Sequence, residues 1–183
     1  MGAITRAFAN QIKTGGKLDA DGLDLTDTFA FTGTVTGAGG VNTPVFEAYV
    51  SSGQTITSAV ETKVQFNTER FDTNSVYDNA TNYRFTIPSG QDGKYFIYSI
   101  IKPFNSNNDS HYSNLLVKLN GSTFFSQSFD FTGSTILRQS NHTYTGIINL
   151  VENDYIEIYG QTNGTGTISI LSGSYFGAFK IVE

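Results

Sequence analysis

The two histidines come first, because imidazole changes charge near neutral pH and commonly partners a nucleophilic serine or a bound metal. They stand at His111, in NDSHYS, and at His142, in SNHT. Both stretches have the polarity of loops, and no serine and carboxylate accompany either histidine at a spacing that argues for a triad. The expectation is a pair of titrating loop side chains, which would line one ligand or metal site only if their loops met.

Oxygen ligands are the next possibility. Asp19, Asp21, Asp24 and Asp27 in KLDADGLDLTD crowd around a glycine, as a hard cation requires. The Asp-x-Asp-x-Asp-Gly spacing and the distant Glu of a calcium loop are missing, so a solvated turn is expected there. FNSNNDS, which holds Asn105, Asn107 and Asp109, reads first as a polar loop and second as a calcium or glycan contact. GTGT at 164–167 opens no helix after a strand, so it is turn material and not a phosphate cradle. No two acids are fixed by sequence into one cleft, which leaves no basis for glycoside hydrolysis. The chain is expected not to be an enzyme.

What positions these loops is legible from composition. The 183 residues include 15 Phe and 10 Tyr, suited to pleated surfaces, while only 15% are charged. This length fits one domain plus an arm. A net charge of −5 offers no basic stripe for nucleic acid. With no cysteine, neither disulfides nor thiolate metal sites can form. MGAITRAFANQI lacks the apolar run of a cleaved leader, and no segment approaches the ~20 apolar residues of a membrane-spanning helix. Five Asn-x-Ser/Thr triplets, at Asn79, Asn108, Asn120, Asn141 and Asn163, are what an Asn-, Ser- and Thr-rich chain contains by chance.

Residues 1 to about 44 differ in texture from the rest and end in a Gly-rich linker around Gly37, Gly39, Gly40 and Pro44, with a boundary expected near Gly40, which sets an arm of residues 1–43 apart from a head of 44–183. Within them Ala3 to Lys13 has the pattern of a short helix, and Thr28 to Thr36 alternates like a strand. From Pro44 onward ten strand-like runs recur between turns. They are VFEAYV (45–50), TKVQFN (62–67), YRFTI (83–87), GKYFIYSI (93–100), LLVKLNG (115–121), STFFSQSF (122–129), TYTGIINL (143–150), DYIEIYG (154–160), TISIL (167–171) and SYFGAFKI (174–181). Such spacing predicts an antiparallel sandwich.

Three runs are apolar on both faces. In GKYFIYSI, Tyr95, Ile97 and Ser99 point one way and Phe96, Tyr98 and Ile100 the other, and DYIEIYG and SYFGAFKI share this character. A sandwich buries one face of each sheet, so a second cover is implied, and in a helix-free chain another copy is the natural one.

The order PVFEAYV, VQFN, YDNATNYRFTIP, Gly93-Lys94-Tyr95-Phe96-Ile97-Tyr98, LLVKLNG, GIINL, ENDYIEIY and SYFGAFKI resembles the globular head of the C1q family and, more broadly, the tumour necrosis factor-like jelly roll, over residues 44–183. Asn153-Asp154 stands where many members have Gly-Asp, and the cysteines frequent in the family are absent. The resemblance implies an all-β, ten-stranded antiparallel jelly roll that assembles as a homotrimer. In it VFEAYV, GKYFIYSI, DYIEIYG and SYFGAFKI would share the sheet that faces the neighbours. The implied interface residues are Phe46, Tyr49, Tyr95, Tyr98, Tyr155, Tyr159, Phe176 and Phe179.

The first 40 residues resemble amino-terminal arms of marine-bacteriophage virion and tail-fibre proteins. The two resemblances together imply a trimeric fibre or spike subunit, fixed to other phage structural proteins by residues 1–43 and binding a host receptor or glycan with loops 104–114 and 138–145. Asn105, Asn107, Asp109, His111, Asn141 and His142 are the candidate contacts. A purely architectural capsid or tail component is the alternative, and a glycan depolymerase a third reading. No cofactor is assigned, although a Ca2+ on or near a trimer axis is compatible with this scheme. No nucleic-acid partner and no membrane insertion are expected, and the virion is the expected location.

Overall fold

Short alternating runs divided by Gly, Asn and Pro favour strands and tight turns. The structure, a computed structural model, describes residues 42–131 and 136–181, and over that range its regular elements are all strands. The expected helix, the four aspartates at 19–27 and the alternating run at 28–36 lie outside the described residues.

In chain order the strands are β1 (Val45–Tyr49), β2 (Gln54–Thr55), β3 (Thr62–Lys63), β4 (Thr68–Asp72), β5 (Tyr77–Asp78), β6 (Arg84–Thr86) and β7 (Gly93–Ile101). They continue with β8 (Pro103–Asn105), β9 (Tyr112–Leu119), β10 (Ser122–Asp130), β11 (His142–Leu150), β12 (Tyr155–Thr162), β13 (Ile168–Ile170) and β14 (Tyr175–Lys180). One sheet runs β11-β7-β14-β1-β4. The other runs β10-β9-β12-β6-β5 with β3 on β12, and a small third sheet runs β2-β13-β8. Each pairing is antiparallel, and strands far apart in sequence are neighbours, as in β1 with β14 and β9 with β12. This is jelly-roll connectivity.

The inward residues of the two large sheets interdigitate. Tyr95, Ile97, Phe46, Ala48, Phe176 and Ala178 from the first meet Leu115, Val117, Ile156, Ile158 and Phe85 from the second, all at 0% exposure. Phe46 is the hub, stacked on Tyr77 at 4.8 Å, tilted on Phe85 at 5.0 Å and edge-on to Phe176 at 5.0 Å. Burying one such ring contributes roughly 1.5–3 kcal/mol.

Register places the ends of the strands at two poles. Val45 pairs with Phe179 and Leu150 with Gly93, so the chain enters β1 and leaves β14 at one pole. Tyr49 pairs with Tyr175 and His142 with Ile101 at the other.

All ten runs contain strands, and four further short ones join them: β2, β4, β5 and β8. β4 escaped detection because Thr68-Glu69-Arg70-Phe71-Asp72 puts charges at both parities and hides the alternation. One assignment is corrected. DYIEIYG, as β12, lies in the sheet with β9 and β6, opposite the one formed by β1, β7 and β14. Alternation reveals which residues share a face of one strand, but pairing between strands depends on the crossover path, which periodicity does not encode.

Candidate interaction surfaces

The side of the five-stranded sheet facing away from the core is built from residues of the opposite parity, and they fall into three rows across the strands. Near the entry pole, Ile147, Phe96, Phe179 and Val45 stand side by side on β11, β7, β14 and β1. The next row holds Thr145, Tyr98, Gly177, Glu47 and Phe71. The third holds Thr143, Ile100, Tyr175, Tyr49 and Thr68. Phe96 lies 5.3 Å from Phe179 and 6.0 Å from Tyr98, and Tyr98 lies 6.2 Å from Tyr175. Ile147, 62% exposed, and Phe71, 46% exposed, extend the apolar surface to both edge strands. Two of the three rows are thus largely apolar.

The middle row is different. The Tyr98 hydroxyl donates to Glu47 Oε2 at 2.8 Å, and Glu47 Oε1 is ion-paired with Arg70. Burial, reinforced by that carboxylate, pushes the Tyr98 hydroxyl well above the usual phenol range. The Arg70 guanidinium also lies over Tyr49, 5.3 Å from the ring centre, and over Tyr175 at 6.0 Å. Gly177 makes this arrangement possible, since a Cβ there would collide with the Tyr98 ring and press on the Phe46 carbonyl. Glu47 shares the parity of Val45 and Tyr49 in VFEAY, which was the available signal for its place on this face. Arg70 had none, because β4 itself was hidden.

Of the eight residues expected at a subunit interface, Tyr49, Tyr98 and Phe179 are on this face and partly exposed. Phe46, Tyr95 and Phe176 are not. They are fully buried inside the sandwich, with the Tyr95 hydroxyl donating to the Gln91 carbonyl at 2.6 Å. Tyr155 and Tyr159 are corrected as well, since they project from the outer side of the opposite sheet. There Arg84 lies 4.4 Å over the Tyr155 ring and Lys118 4.0 Å over that of Tyr159, so cations cover the apolar side that seemed to need a partner. Glu157, between the two tyrosines, is buried and pairs with Lys63 at 2.5 Å.

The far pole gathers the predicted loops. Leu137 N–H donates to the Ser110 carbonyl at 2.7 Å and Asn105 N–H to the Arg138 carbonyl at 2.8 Å, so the 104–114 and 138–145 segments do meet. A third segment, the 163–167 turn, joins them. Asp109 accepts from the Thr165 hydroxyl at 2.5 Å, and that bond, followed by the one from the Asn105 amide, holds its carboxyl below the usual range. Asn163 Oδ1 accepts from the backbone of His111 at 2.8 Å and of Tyr112 at 3.1 Å. The sequence read 164–167 only as turn material, because nothing local shows what a turn is tied to.

Two expected contacts are corrected here. Asn105 is fully buried and acts as the internal brace of the loop, donating to Asp109 and Ser110 Oγ and accepting from Asn107 N–H at 3.0 Å. His142 is also fully buried. Its Nε2 is 2.6 Å from Ser113 Oγ, which is 2.6 Å from Ser140 Oγ, and the Phe129 ring lies 4.6 Å from the imidazole. Asn107, His111 and Asn141 are exposed, with Asp109 intermediate. The two histidines therefore share no surface: His111 is exposed, and His142 is buried against Ser113.

No family model matches the sequence, and no curated protein compared with it does. Solved structures do match. The chain is similar to the globular domain of zebrafish complement 1qA protein, with a TM-score of 0.52 and 18% identity over 76% of this chain and 98% of that one. It is similar to murine APRIL at pH 5.0, with a TM-score of 0.53 and 18% identity over 75% and 98%. It is also similar to Eiger TNF from S. frugiperda, with a TM-score of 0.52 and 10% identity over 76% and 94%. At these identities the likeness is one of fold: the described chain is an all-β jelly roll of the C1q and tumour necrosis factor type.

Proposed function

We propose that this chain is one subunit of a trimeric binding head, carried on a bacteriophage particle through residues 1–43 and meeting the host surface with its far-pole loops. The observation that carries the trimer is the three-row outer face of the five-stranded sheet, where Ile147, Phe96, Phe179, Ile100 and Tyr175 form an apolar surface that the single chain leaves partly open to water. Copies arranged around a threefold axis would bury it. The C1q-like fold supports the same arrangement, and the likeness of the first 40 residues to phage virion arms supports the particle assignment. On this reading the location is the virion and the role is adhesion without catalysis.

The poles suit such a head. The chain enters at Val45, at the opposite end from Asn107, His111 and Asn141. Loops braced on a rigid sandwich are common recognition surfaces, and three copies on one head raise avidity without a strong single site. The test is competition: excess purified full chain should block adsorption of the parent particle to its host cells, whether the target is a receptor or a glycan. Undiminished adsorption at saturating protein would reject host binding and favour an architectural component of the capsid or tail.

A further inference from the structure

We infer that the Tyr98–Glu47–Arg70 node is the element that fixes how many copies pack on the five-stranded sheet and in what alignment. The inference rests on the trimer reading above and concerns the specificity of that same face. Apolar contact is non-directional, so the rows containing Phe96 and Phe179 on one side and Ile100 and Tyr175 on the other tolerate many mutual offsets. A charged, hydrogen-bonded group set among them tolerates few once a partner covers it, because any offset that strands it without partners is costly.

The occupant is a second copy of this chain, on grounds of charge. On the middle row one carboxylate faces one guanidinium, and Glu47, with only 13% of its side chain exposed, already accepts from both Tyr98 and Arg70. A strongly acidic or basic partner finds no uncompensated charge on that row, and Lys94, of the same parity, stands exposed only at the entry-pole rim. Further copies of this chain carry the same balanced pair beside the same apolar rows, so copies placed around a threefold axis bring no uncompensated charge to it. Arg70 is the part that reaches across. Its side chain is 52% exposed, it is held in place by Glu47 and by the Tyr49 and Tyr175 rings, and its fork carries five donors, more than Glu47 uses. Those remaining donors bond acceptors of the neighbouring copy.

Sedimentation equilibrium and native mass measurement on the full chain, as wild type, Glu47→Gln and Arg70→Lys, decide the matter. Wild type is expected as one trimeric species. Both variants are expected to weaken association by a factor on the order of 30 or more, or to give mixed masses, while the dissociated Arg70→Lys chain melts as wild type does. Arg70→Lys keeps the charge at a half-exposed position and so keeps the fold. It decides alone if Glu47→Gln proves unstable. A wild-type trimer with variants that assemble to the same mass within threefold affinity overturns the node and leaves the trimer standing. A monomeric wild type overturns both.

Discussion

At the scale of single residues, His142 shows how the fold alters a side chain that sequence presented as a titrating loop group. Burial pushes its pKa down to about 4. Ser113 and the Phe129 ring lie against it, Ser140 lies against Ser113, and Ile101 is its partner on β7, none of them charged, while Tyr144 is the titratable group that follows on its own strand. The unfolded chain takes up a proton below about pH 6.5 that the folded chain refuses, so stability is full above that pH and falls as pH drops toward 4. The loss from this residue at pH 4 is about 3 kcal/mol. Denaturant titrations at pH 7 and pH 4 should therefore show a smaller pH difference for His142→Asn than for wild type, by about that amount. Equal differences would contradict the assignment. The sequence supplied the residue and its segment, but not the surroundings that decide its charge, since Ser113, Ser140 and Phe129 come from three other places in the chain.

At the scale of elements, β7 separates the two demands on the chain residue by residue. Ile97 faces the core at 0% exposure, and Phe96, its neighbour in sequence, faces outward. Ile97→Asp should unfold the chain, because a buried unpaired charge costs several kcal/mol, more than a marginal domain can absorb. Phe96→Asp should leave the melting of the dissociated chain nearly unchanged and abolish assembly, as read by thermal unfolding and mass in parallel. A Phe96→Asp chain that still assembles would rule out this face as the contact. Parity within β7, β1 and β14 was legible in their alternation. Which parity faced inward was not, because both sides are apolar, and so Phe46, Tyr95 and Phe176 were expected at an interface although they form the core. For β12 the apolar outer side was legible, but its cover was not, since Arg84, Lys63 and Lys118 come from other strands.

For the whole molecule, assembly and folding should be coupled. A chain that folds and associates by burying the same sheet is stabilised by mass action, so its melting temperature should rise with total protein concentration. A midpoint that stays constant across a hundredfold range would indicate a monomer. The antiparallel neighbours β1 and β14 add a mechanical consequence. Val45 opens β1 beside Phe179 at one pole, β1 runs to Tyr49 near the other, and β14 and β4 flank it on either side. Tension applied between the two poles is directed along β1. Its ladder bonds lie across that direction and are loaded together in shear, rather than opened one after another like a zipper.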